Sequence, residues 1–148
     1  MNRDAFKAAW LNALEERSRV IFEVMPMPDM PGNHCQIADA LAAQLDLQTI
    51  GYNWELLDAE GALGDARSAL SVIAGALGND MEFPQQAWLG ADGAAACAQD
   101  FIGLFDAPRT IVSNRLEGLW NPLTDARIEW AFVGMDGAHA ALLLIARD

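Results

Sequence analysis

Lysine is nearly absent from this chain. Lys7 is the only one, and eight arginines supply the rest of the nine basic residues, against 21 Asp and Glu. The formal net charge of −12 would repel a nucleic-acid backbone or an anionic membrane surface, so neither is an expected partner. Cysteine is scarce as well: Cys35 and Cys97 are too few for a disulfide framework, and a chain of 148 residues buries enough surface to fold without one. His34 and His139 lie far apart and no cysteine pair stands at ligand spacing, so no metal site is expected. The longest apolar run, Ala140 to Ala146, is far shorter than the roughly 20 residues a membrane helix needs. The first residues mix Arg3, Asp4, Lys7 and Glu15 with apolar positions. No secretory signal is read there, and a cytoplasmic protein is expected.

Phosphate loops and nucleophile elbows are missing too. Gly61-Ala62-Leu63-Gly64 precedes a helical segment but lacks the glycine order and the lysine of a phosphate cradle. No Gly-x-Ser-x-Gly occurs. No cofactor is therefore expected.

What the chain does contain is core material. Hydrophobic residues make up 53 % of it and the mean hydropathy is +0.11, enough for one globular domain over residues 1–148. Phe6, Trp10, Ala13 and Leu14 recur at helical spacing between Asp4 and Arg17, and Val20 to Met25 reads as a strand. The Met-Pro loop with Met25, Met27 and Met30 cannot be helical. Asn33 with Gln36 fits a capping box for a helix that buries Ile37, Ala38, Leu41 and Leu45. Ile50, Tyr52, Trp54 and Leu56 alternate as a half-buried strand would. Asp65 is read as the cap of a third helix burying Leu70, Ile73 and Leu77. Asp92 opens a fourth, with Cys97, Phe101, Leu104 and Phe105 on its apolar stripe, and Arg109 to Ser113 is a short strand.

Asn114 to Trp120 is expected to form one or two helical turns. Asp136-Gly137 marks a two-residue hairpin turn between Ala126–Val133 and Ala138–Arg147, placing Trp130 opposite Leu143 and Phe132 opposite Ala141. Leu142 to Ile145 is apolar on both faces, the mark of a strand covered on both sides. The expected fold is α+β: a mixed, mainly antiparallel sheet of about five strands with helices packed on it, ending in a C-terminal β-hairpin.

Two functional readings follow. The first is an acidic protein-binding module that recognises a basic partner, one version being an inhibitor or immunity protein. Its anchors are tryptophans that no periodic element demands, Trp88 and Trp120, with Trp54 on a strand that would be partly exposed at a sheet edge. Glu55, Asp58 and Glu117 supply carboxylates beside them. A homodimer is a further partner on this reading. The alternative is a small enzyme or small-molecule-binding protein with a pocket near His34 and Cys35, where a helix N-terminus would favour a thiolate. The two side chains point about 100° apart on a helix of 3.6 residues per turn, so no catalytic role is assigned to them and catalysis is not the leading expectation.

Overall fold

The apolar run near the C-terminus becomes the inside of the fold. In the computed structural model, which describes residues 1–27, 32–116 and 118–148, strand β7 (His139–Arg147) lies one place in from the rim of a five-stranded sheet. The order is β1 (Arg19–Pro26), β7, β6 (Ile128–Met135), β3 (Thr110–Ser113) and β2 (Glu55–Leu57). All four pairings are antiparallel, so the sheet is not mixed. Among the described residues the class is α+β, as the sequence indicates.

Alternation along β6 and β7 sorts side chains between two cores. Phe132, Leu143 and Ile145 face helices α1 (Arg3–Glu15), α3 (Ala69–Gly78) and α4 (Gly90–Ile102), which contribute Phe6, Leu14, Ile73, Leu77 and Phe101. Ala131, Val133, Leu142 and Leu144 face helix α2 (His34–Gln44), with Ile37, Ala38 and Leu41, and the loop residues Trp54, Leu123 and Ala126. Each Leu, Ile, Val or Phe among them taken out of water contributes about 1.5–3 kcal/mol. This explains why an antiparallel sheet, which often leaves one face wet, carries an unbroken apolar strand here.

The Asn33–Gln36 capping box is present in both directions. Elsewhere the chain departs from expectation, and each departure has a physical cause. Helix α3 begins at Ala69 because Ser68, not Asp65, caps it by accepting from the Ser71 N–H, while the Asp58–Ser68 bridge holds the preceding segment outside the helix. The strand expected from Ile50 shrinks to Glu55–Leu57. The Asp39 carboxylate on α2 accepts from the N–H groups of Ile50 and Gly51 and from the Trp54 indole. That pulls Gly51–Asn53 into a 3-10 turn, with Gly51 at φ +64°.

The terminal hairpin turns one residue later than expected. Trp130 pairs with Ile145 and Phe132 with Leu143. Asp136 sits before the turn, where its Oδ1 accepts from the Ala138 and His139 N–H groups, the preferred place for Asp in a tight turn. The resulting shift of two residues preserves which side chains share a face. His139 stacks on Phe105, centroids 5.5 Å apart.

Candidate functional site

The segment between β3 and β6 is organised by one buried carboxylate. Glu129 is 0 % exposed. It accepts from the Asn114 amide at 3.1 Å, the backbone N–H groups of Leu123 and Thr124 at 2.9 and 2.8 Å, and the Thr124 hydroxyl at 2.6 Å. Asn114 in turn accepts the Ala131 N–H and donates to the Asn121 carbonyl. With both ends pinned, β4 (Arg115–Leu116) folds back on β5 (Leu119–Trp120) as a hairpin, and not as helical turns. Its second strand displays apolar surface, with Leu119 63 % and Trp120 37 % exposed.

Arg115 lies at the base of this hairpin. Its guanidinium carbon is 4.6 Å from the Trp130 ring centroid and 6.0 Å from that of Trp120, within the range of cation–π attraction. Burial lowers its pKa from the usual arginine value. Trp130 is half-buried, stacks on Phe132 and donates its indole N–H to the Ser113 hydroxyl at 2.9 Å. These groups border a pocket of about 160 Å³ whose other walls include Ala76, Asn79, Asp80, Met81 and Pro84. A shallow groove of about 470 Å³ along α3 shares Gly75 and Asn79 with it.

Beside this pocket the arginines are tied up. Buried Asp80 accepts from Arg17 at 3.1 Å and Arg147 at 2.7 Å. Burial by itself would raise its pKa, but the Phe83 and Glu82 N–H groups and the two guanidiniums outweigh it and hold the carboxyl below the usual range. Arg127 forks onto Glu82. Arg19, Arg67 and Arg109 pair with Asp148, Glu55 and Glu60. Six of the basic side chains are thus engaged by the protein's own carboxylates.

No family model, curated protein or solved structure matches this chain. Its chemistry must therefore be read from its own side chains.

The residues singled out from sequence do not form one cluster. Trp54 is only 3 % exposed and its indole N–H donates to Asp39, so the edge strand does not present it. Trp88 is half-buried and donates its indole N–H to the Ala13 carbonyl, bracing the loop before α4 against α1. Glu55 is partly exposed and pairs with Arg67 at 3.8 Å, while Asp58 is exposed and accepts from the Glu60 N–H in a turn. Trp120 alone of the three tryptophans is exposed. Glu117 and Met30 lie outside the described residues. Tyr52, at the tip of the 3-10 turn, is 83 % exposed.

At the alternative site Cys35 is buried, and its sulfur is 4.0 Å from the Trp54 carbonyl oxygen. Desolvation is the largest influence on its thiol and raises its pKa, aided by the negative charges of Asp39 and Glu55. An activated nucleophile needs the opposite shift. Cys97 in the α4 core is pushed up to about 12 by burial. Among the described residues no three His, Cys, Asp or Glu side chains are grouped to hold a metal ion.

In the sequence Arg115 stands five residues from one tryptophan and fifteen from another, but only the hairpin brings them together.

Proposed function

We propose that this protein is a recognition module for a basic protein partner, anchored by the β4–β5 hairpin. The observation that carries this reading is the distribution of charge. Most cations are paired internally, while Asp4, Glu15, Glu16, Asp46, Asp92 and Asp125 are exposed with no ion pair among the described residues. A surface of this sign steers cationic partners inward. The exposed Leu119–Trp120 strand supplies what charge alone does not, an apolar anchor that slows dissociation. Inhibition or immunity would follow where the contact covers the partner's working surface. The test is capture from the source cell with the wild-type chain and with Leu119→Ala/Trp120→Ala. The reading requires a basic protein retained by the wild type at low salt, released as salt rises, and lost from the variant. Equal retention by both chains overturns it.

A homodimer is the second reading, favoured by the free edge of β1. The Met27 N–H donates to the Ala138 carbonyl, so odd-numbered residues bond to β7, and Val20, Phe22 and Val24 turn their N–H and C=O groups outward. Pro26 lies on the same open side without an N–H, a common way to end an edge. Two copies meeting about Phe22 would continue the sheet. Light scattering that gives a monomer mass at high protein concentration and high salt removes this reading.

A further inference from the structure

Arg115 differs from the other arginines that line cavities in this fold. It is partly buried, yet no carboxylate lies within ion-pair distance of it among the described residues. Its side chain makes one hydrogen bond among those residues, a long donation of 3.5 Å to the Glu129 carbonyl. A guanidinium has five N–H donors lying in its own plane. Placed over an aromatic face it keeps those donors for another partner.

The surroundings favour an anion. Asp80, which lines the same pocket, is matched by Arg17 and Arg147, and Glu82 by Arg127 and Arg147. Asp80 and Glu82 are thus matched by their own arginines, which leaves Arg115 as the unpaired charge lining the pocket among the described residues. The walls are otherwise apolar, from Ala76, Met81, Pro84 and Trp130, and the Asn79 amide makes no side-chain hydrogen bond among the described residues.

We propose that this pocket binds a small, flat organic carboxylate, with its ring against Trp130, Met81 and Pro84 and its carboxylate on the in-plane N–H groups of Arg115. Carboxylate geometry suits this better than a point charge would, because two parallel N–H···O bonds can form at once. Asn79 on the opposite wall offers a further polar contact. The site stands apart from the partner reading and survives its failure.

The experiment is a titration of the full chain with benzoate, following the indole N–H signals of its five tryptophans by NMR. The signals of Trp120 and Trp130 should move saturably while those of Trp10, Trp54 and Trp88 stay in place. Benzamide, of the same shape without the charge, should bind at least about tenfold more weakly, and Arg115→Lys should weaken benzoate about tenfold because an ammonium keeps the charge and loses the fork. Equal binding of benzoate and benzamide overturns the proposal. So does movement of all five signals together, or a response to inorganic phosphate where benzoate gives none. Should Arg115→Lys fail to fold, the benzoate–benzamide comparison on the wild type decides alone.

Discussion

Removing the Glu129 carboxylate should damage both the fold and the hairpin it positions. Two of its donors, the N–H groups of Leu123 and Thr124, belong to the backbone and cannot be relocated without moving the loop. A buried donor left without an acceptor costs about 1–3 kcal/mol. Glu129→Ala leaves two such donors, strands the Asn114 amide and the Thr124 hydroxyl, and opens a cavity. Together these effects predict a loss of about 3–5 kcal/mol, from two stranded backbone donors at about 1–3 kcal/mol each and the cavity beside them. That is a large share of the roughly 5–15 kcal/mol that holds a domain together. Glu129→Gln keeps the shape and one acceptor oxygen but turns an amide N–H₂ toward other donors, so about 1–3 kcal/mol is expected. Urea denaturation followed by circular dichroism measures both. In Glu129→Ala the amide of Leu123 should also exchange faster than amides in β7. A loss below about 1 kcal/mol in Glu129→Ala, outside the range for stranded buried groups, would refute the reasoning.

Three further outcomes are expected. The Asp80 and Asp136 carboxyls are held below their ordinary range, because backbone and charged partners outweigh the burial that by itself would raise them. Their contribution to stability is therefore present above the unfolded value near pH 4 and lost as pH falls through the lowered folded values. Asp80→Asn/Asp136→Asn should flatten the acid limb of a stability–pH curve, and an unchanged limb counts against this assignment. Trp130→Ala should cost about 2–4 kcal/mol in chemical denaturation, somewhat under a fully buried aromatic because the ring is half-exposed. A change within 0.5 kcal/mol, as at an ordinary surface position, would contradict its stacking on Phe132. Both thiols have raised pKa values, so alkylation of the folded protein at pH 7 should run far slower than that of a model thiol. Rapid modification of Cys35 would return the alternative site to consideration.

The regular elements were legible where periodicity and capping chemistry are local. The Asn33–Gln36 box, the two-faced apolar strand at Leu142 to Ile145 and the stripe through Cys97 and Phe101 each need only their own neighbours in sequence. The departures occur where one distant side chain overrides local preference. Asp39, on α2, coils residues 51–53 and takes in Trp54, although the alternation from Ile50 to Leu56 is sound as a strand pattern. Glu129 turns the Asn114–Trp120 segment into a hairpin through contacts 5 to 15 residues away. Asp136 and Asp65 are each acceptable at two positions of a turn or cap, and propensity does not choose between them. The lack of a periodic element at Trp88 and Trp120 does not tell the braced ring from the exposed one, since only tertiary contacts bury Trp88 against α1. Arg115 went unnoticed because its meaning depends on the carboxylates that engage the arginines around it.

On the proposed reading, charge brings a basic partner in and the exposed Leu119–Trp120 strand holds it. The most direct test is the association and dissociation kinetics of the captured partner with the wild type and with Leu119→Ala/Trp120→Ala, at low and at physiological salt. Raising the salt shortens the Debye length to about 8 Å, so the on-rate of both proteins should fall several-fold with little change in the off-rate. The double variant should associate nearly as fast as the wild type and dissociate about thirtyfold faster, the equivalent of a 2 kcal/mol hot spot. An on-rate indifferent to salt, together with an off-rate unchanged in the variant, would contradict the account.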